Sequence, residues 1–457
     1  MIEFARAFSM LLAATVAVVP AAAAPLSDTP SWSAESDSPD SWLGYSVAPA
    51  GDVNGDGYGD VIVGGFRFPG GSNVGRALVY HGSAAGLSAT AAWTADGPAS
   101  FGYSVAAAGD VNGDGYGDVI VGADYANCAY VYFGSAAGLA ATVGWLKCID
   151  GTTYSAFGAS VAGAGDVNGD GYDDILVGAP GYGPQVQHRG AAFLYRGSAT
   201  GPGQTPVWSV VSDPNQEYLG FSVSSAGDVN GDGYADVLVG SPYYPGFGGE
   251  YLGRVQAFHG SPAGLSATPS WVAAGEPHSR LGYSVAGAGD LDGDGFADIA
   301  VGVPSGGRTT LGRYAYSGQV NVFRGSPGGL LDQATVLYPG VLKRLNGEGG
   351  PGFGWSVAGA GDVDGDGFAD LLVGSPSHTV RHLSEVGRVS LLMGSAGGVA
   401  QSPAWVFTGQ QAGARLGWSV AGAGDVNGDG RTDVLVGEPF YDGGAVDEGR
   451  ALVFQGP

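Results

Sequence analysis

The chain has 457 residues, enough for about three ordinary domains, yet its 87 glycines and 25 prolines make up close to a quarter of it, a level that invites disorder as a first reading. Only 13% of residues are charged and 44% are apolar, which excludes that reading because the chain has the means to bury a core; glycine at this density also excludes long helices. A net charge of −25, with 18 basic residues against 43 acidic ones, makes nucleic acid and anionic membrane poor partners unless bound metal ions change the field.

In chain order, Arg6 precedes an apolar run from Phe8 to Val19, then Pro20 and the small residues Ala21 to Ala24. This pattern predicts an export signal over 1–24, a buried N-terminal helix being the alternative. No other run approaches the roughly 20 apolar residues of a membrane span. Residues 25–457 are therefore expected to form a soluble, monomeric, single-domain protein that is secreted, periplasmic or at the cell surface.

The segment DVNGDGYGD begins at Asp52, and close copies begin at Asp110, Asp166, Asp228, Asp290, Asp362 and Asp425. Seven copies fill the chain. Their context is clear in the fourth: Leu219-Gly220-Phe221-Ser222-Val223 leads in, and after the Asp loop Asp236-Val237-Leu238-Val239-Gly240 is an apolar run of strand length. Gly253-Arg254-Val255-Gln256-Ala257-Phe258 then alternates as a half-buried strand should, and a glycine-rich turn leads to a short segment carrying Trp271. Four strands per unit predict a four-stranded antiparallel blade. The chain stops at the end of a third strand, Phe454, while Leu26-Ser27-Asp28-Thr29-Pro30-Ser31-Trp32 matches Leu265-Ser266-Ala267-Thr268-Pro269-Ser270-Trp271 in all but one residue. The expected fold is thus all-β: a closed seven-bladed β-propeller whose N-terminal strand completes the last blade.

Within each copy, oxygen-bearing residues fall at positions 1, 3, 5 and 9, and the carbonyl at position 7 can add another donor. The first three sets are Asp52, Asn54, Asp56 and Asp60 with Tyr58; Asp110, Asn112, Asp114 and Asp118 with Tyr116; and Asp166, Asn168, Asp170 and Asp174 with Tyr172. Asp228, Asn230, Asp232 and Asp236 follow with Tyr234, then Asp290, Asp292, Asp294 and Asp298 with Phe296. The last two are Asp362, Asp364, Asp366 and Asp370 with Phe368, and Asp425, Asn427, Asp429 and Asp433 with Arg431. Hard oxygen donors in this number suit Ca²⁺, and up to seven structural ions are expected. Position 12 of an EF-hand would be Val63 rather than glutamate, and a strand follows instead of a helix. A plain Asn-Gly-Asp-Gly hairpin turn is the alternative, but a turn does not call for carboxylates at positions 1, 5 and 9 in every copy. Seven divalent ions would bring the net charge to about −11.

The run Phe-Gly or Leu-Gly, then Ser-Val, the Asp loop and Val-Gly-Ala-Pro, complete at Val177-Gly178-Ala179-Pro180, resembles the FG-GAP repeat of the integrin alpha-chain head. The resemblance covers the mature chain and implies Ca²⁺ in the loops between first and second strands, on the lower face. The chain departs from integrins in carrying the loop in all seven units and in ending with the propeller, so exported single-domain FG-GAP proteins of bacterial type are the nearer comparison and no integrin receptor mechanism is carried over.

The loops of the upper face vary in length and content. They present Phe66, Phe68, Tyr125, Tyr243, Tyr244, Tyr314, Tyr316, Phe440 and Tyr441, and the longest insertion lies around Lys343, Arg344 and Asn346. Variable loops with aromatic side chains suit a binding or adhesion module with an extracellular protein or glycan ligand, self-packing around the channel mouth being the alternative. A polysaccharide-active hydrolase or lyase using that mouth is the rival class. No catalytic constellation supports it: His81 and His259 share a slot with Phe133, Arg196, Arg324, Met393 and Gln455, His378 and His382 read as a solvated pair, and strings such as Gly354-Trp355-Ser356-Val357-Ala358 lack the final glycine of a nucleophile elbow. Cys128 and Cys148, the only cysteines, lie symmetrically about Gly138, which predicts a disulfide across a hairpin, two free thiols being the alternative.

Overall fold

The strand that follows each Asp loop, Asp60–Gly65 in the first unit, is buried at every residue, and the same holds in all seven units. A strand buried on both faces needs a neighbour on each side, and the computed structural model supplies them. It describes residues 26–68, 74–149, 154–183, 189–212, 217–246, 250–305, 317–338, 352–380 and 382–457. The expected signal, Tyr314, Tyr316, and the insertion residues Lys343, Arg344 and Asn346 lie outside the described residues.

Seven four-stranded antiparallel sheets form the blades, six of them built from four consecutive strands. The first blade runs Ser46–Gly51, Asp60–Gly65, Val74–Tyr80, Trp93–Pro98. The first strands of successive blades touch one another, and that of the last, Ser419–Gly424, touches Ser46–Gly51, so the ring is closed. Its seventh blade takes its outer strand from the other end of the chain: Trp32–Glu35 pairs antiparallel with Arg450–Phe454, Trp32 opposite Val453 and Glu35 opposite Arg450. No helix among the described residues is long and apolar enough to cross a membrane.

The core is seven apolar clusters, each filling the space between two adjacent blades. This arrangement overturns one strand expectation. The third strand Arg254–Phe258 alternates in sequence but is not half-buried, since Gln256 is enclosed along with Val255 and Ala257. The half-exposed alternation is fullest in the fourth strand, as at Trp93–Pro98, where the outermost position leaves one face less covered, while third strands such as Val74–Tyr80 keep part of it.

Glycine sets how closely blades approach. A Cβ on Gly122 would lie 2.0 Å from the carbonyl oxygen of Gly158 in the next blade, and the same contact at Gly437 against Gly44 spans the closure. The serine before each first strand's valine fastens the same junction: the Ser104 hydroxyl donates to Gly158 at 2.8 Å and that of Ser419 to Gly44 at 2.9 Å. Ser356 likewise donates to Gly417 at 3.0 Å, which gives the elbow-like string a structural role.

Candidate functional site

The seven Asp loops share one hydrogen-bond scheme. In the first, Asp52 accepts the amides of Gly55 (2.6 Å), Asp56 (3.1 Å) and Gly57 (2.8 Å), which curls the loop around the carboxylate at position 1. Asp56 accepts the amide of Tyr58 at 3.0 Å and the side-chain amide of Asn54 at 2.9 Å. Positions 1, 3, 5 and 7 are thereby drawn to one side of a tight turn. In the fifth and sixth loops, ligand atoms of Asp290, Asp292 and Asp294, and of Asp362, Asp364 and Asp366, come within 4.8 Å of one another. Clustered all-oxygen donors fit a hard divalent cation, and the residues that would hold it are those at positions 1, 3 and 5 with the carbonyl at position 7.

Position 9 differs from the other donors. Asp60 begins the second strand, is fully buried, and accepts the amides of Val53 and of Gly82, both at 2.9 Å. Gly82 lies in the turn between the third and fourth strands, so this carboxylate ties the two lower-face connections of its blade together. The same pair of bonds recurs at Asp118, Asp174, Asp236, Asp298, Asp370 and Asp433. Burial pushes these carboxyls up, Asp60 to about 6 and Asp118 to about 7, against the pull of the two amides.

The loops also bind blade to blade. The carbonyl of Asp52 accepts the Gly117 amide at 2.9 Å and that of Val53 the Ser135 amide at 3.1 Å, both donors belonging to the next blade. At position 7 the aromatic ring lies over the position-4 glycine of the preceding loop: a Cβ on Gly55 would be 2.7 Å from the Tyr116 ring and one on Gly428 2.6 Å from Tyr58. Arg431 takes the aromatic's place over Gly365. Position 6 obeys a different rule. Gly57 has φ of +90° and open space around its missing Cβ, so it answers to backbone conformation alone.

The slot that holds His81 is more than filler. His81 Nδ1 stands 3.3 Å from the Asn54 side chain, and in the fifth blade Arg324 pairs with the buried Asp292, so the slot residue backs position 3 of the loop. In sequence the slot's occupants are chemically unrelated, which marks it as structural. Only the fold brings it against the loop.

On the upper face the structure separates the seven aromatic candidates that lie among the described residues. Phe66 packs on Trp42, Tyr45 and Tyr103, Phe440 on Trp42 and Trp418, and Tyr243 on Tyr218, Phe221 and Tyr251. Phe68, Tyr244 and Tyr441 each lie under an arginine, Arg76, Arg254 and Arg450, at 3.6, 4.4 and 3.5 Å. Tyr125 stands in solvent beside Tyr154.

These groups surround a cavity of about 610 Å³ on the propeller axis, lined by the residue between the glycine and the serine at each blade's entry. Six of the seven are aromatic. Tyr103, Tyr45, Trp418, Trp355, Tyr283 and Phe221 follow one another at centroid distances of 5.2, 5.3, 4.8, 4.7 and 4.9 Å, with interplanar angles of 43° to 50°. Those angles are close to the one-seventh turn between blades, so the rings keep one attitude to the axis and form a horseshoe. Ala159 in the third blade leaves it open, and beside the opening stand Asp124 and Tyr154. Asp124, 5% exposed, accepts the Tyr154 hydroxyl at 2.7 Å and the Tyr125 amide at 2.8 Å, and burial raises its carboxyl above the ordinary range. Sequence reading missed this ring although its signal was present: the residue after each Phe-Gly or Leu-Gly is aromatic in six units of seven.

In the same blade as Asp124, Cys128 and Cys148 form a disulfide, directly opposite each other on paired strands with Cα atoms 4.1 Å apart. It follows the four-residue connection Asp124-Tyr125-Ala126-Asn127, where the Asn127 side chain accepts the Ser155 amide at 3.0 Å.

The chain is similar to integrin alpha-5 of Xenopus laevis, 33% identical over 227 residues that cover 48% of this chain and 20% of that protein. It is 37% identical to integrin alpha-3 of Cricetulus griseus over 209 residues, 45% of this chain and 18% of that one. The chain thus spans about a fifth of the length of these curated relatives. Among solved structures, a protein from Lactobacillus plantarum superposes with a TM-score of 0.46 at 12% identity, over 80% of this chain and 85% of that one. The FG-GAP repeat model matches at residues 43–80, 101–139, 157–195, 219–258, 281–323, 353–392 and 416–454, one match per blade, and the chain belongs to the FG-GAP repeat family.

Proposed function

We propose that this chain is an exported binding or adhesion module, with Ca²⁺ held in the Asp loops of the lower face and an extracellular protein or glycan bound on the upper face. The observation that carries the reading is the axial cavity: partly buried aromatic side chains from six blades converge on one recess, where a soluble fold without a ligand would gain by packing them shut. Kinship with integrin alpha chains supports adhesion, and the pattern over residues 1–24 supports export. Calcium has a structural part in this reading. The loops join neighbouring blades, so ions there stiffen the ring that shapes the recess. Among the described lining residues Asp124 is the one carboxylate, whereas glycoside hydrolysis ordinarily uses two, so the recess suits binding rather than turnover.

The test is binding of the purified chain to immobilised extracellular-matrix proteins and to a glycan array, in calcium and in chelator. Binding that needs calcium and falls at least tenfold in Tyr283→Ala or Trp355→Ala is expected. Undiminished binding by both variants to a confirmed partner would overturn the upper-face assignment.

A further inference from the structure

The aromatic horseshoe is regular except at one blade, and the exception coincides with the only charged group among the described lining residues. Three observations bear on what fits there. The cavity, about 610 Å³, lies within the range of small-molecule sites and is far roomier than one side chain requires. Its rings offer apolar faces, while the serine hydroxyls of the lining at Ser104, Ser222 and Ser284 are already spent on carbonyls of the next blade. Ser46 and Ser160 accept the amides of Val105 and Val223, and the one carboxylate among the described lining residues is Asp124 at the opening, which accepts from the Tyr154 hydroxyl and the Tyr125 amide, both neutral donors. Ser100 also hydrogen-bonds this carboxylate, so all its side-chain partners are neutral hydroxyls, and a sugar hydroxyl would be a donor of the same kind.

We propose that the axial cavity is a subsite for the end of a neutral oligosaccharide, about two sugar rings, which stacks its C–H faces on the horseshoe and donates hydroxyls to Asp124, with Ala159 as the residue that admits it. This inference rests on the reading of the upper face as a ligand site and adds the chemistry of the ligand and the residue that selects it. Ala159 selects by absence. An aromatic ring at that position, as at Phe221 one blade on, would close the ring and fill the opening. An extended chain would leave through this gap because, among the described residues, it is the one point where the aromatic wall is interrupted, beside the four-residue connection of the second blade.

The experiment uses the calcium-loaded full chain and titrates neutral disaccharides and tetrasaccharides of glucose, galactose, mannose and N-acetylglucosamine. Calorimetry gives the affinity, and intrinsic fluorescence reports on Trp355 and Trp418. Hexa-arginine serves as a cationic probe. The expected result is saturable binding of at least one neutral sugar with a tryptophan signal. Ala159→Phe should weaken it at least tenfold and Asp124→Asn by about tenfold, with melting temperatures unchanged in Ala159→Phe. Sugar binding that Ala159→Phe leaves intact overturns the placement in the cavity. Binding of hexa-arginine but of no sugar, abolished by Ala159→Phe, overturns the sugar assignment while the upper face stands as a ligand site. If neither probe class binds and the matrix-protein and glycan-array screen is also negative, the binding-module reading falls together with this one.

Discussion

The two faces of this propeller are built by opposite rules. On the lower face one nine-residue loop is repeated seven times with the same hydrogen bonds to the position-1 and position-9 carboxylates, each copy locked to the next blade, so that changing any copy disturbs two blades. On the upper face the connections differ from blade to blade, and the one repeated feature, the aromatic ring at each blade's entry, is broken at Ala159. A repeated interface spreads its stabilisation over the ring, whereas a single departure from the repeat makes a position unlike the others. Stability should therefore be sensitive to the lower face and ligand choice to the upper.

The largest expected effect comes from removing calcium, and its pH dependence is the sharper test. In the ion-free fold, burial pushes the position-9 carboxyls up to about 6 or 7, above the unfolded value near 4. The folded state then binds protons more tightly than the unfolded chain does. That contribution to stability is fully present below about pH 4 and is lost as the pH rises through 6 to 7. Calcium favours the deprotonated carboxylates and so acts most strongly where protons no longer do. The gap in melting temperature between calcium-loaded and chelated protein should widen from pH 5 to pH 8, reaching roughly 10 °C or more at the upper end. A gap that stays constant or narrows across that range breaks the coupling between ion binding in the loops and the bracing carboxyls at position 9.

Next in size is Asp118→Ala in chelator. It strips the acceptor from the buried amides of Val111 and Gly134 and should cost about 2–4 kcal/mol in urea melts, against about 1 kcal/mol for the exposed Asp114→Ala. Equal losses would show that position 9 is no brace. The smallest contrast separates two glycines two residues apart. Gly55→Ala collides with the Tyr116 ring and should cost about 2 kcal/mol, whereas Gly57→Ala meets only the positive φ and should cost about 1 kcal/mol.

The blade count, the order of strands, the closure by Trp32–Glu35 and the Cys128–Cys148 pairing were all legible beforehand, because each depends on spacing along the chain. Repeats advertise themselves, and a unit split across the termini leaves matching halves. The candidate site was legible only in part. Of the nine upper-face aromatics, Phe66, Tyr243 and Phe440 pack directly against horseshoe rings, and Phe68, Tyr244 and Tyr441 carry arginines, so these six support the recess more than they line it. The rings that do line it sit at strand entries and read in sequence as part of the repeat.

What the sequence determined by itself is everything set by local chemistry at fixed intervals: where the chain turns, which strands are apolar, and which oxygens share a loop. Tertiary structure alone decided that the alternating third strand is buried on both faces, that position 9 braces two turns while positions 1, 3 and 5 gather, and that six entry residues far apart in sequence meet around one axis with a gap at Ala159. The physical reason is that a closed ring gives every inner strand two neighbours and brings equivalent residues of all blades within contact distance, and no spacing along the chain reveals which of them face the axis.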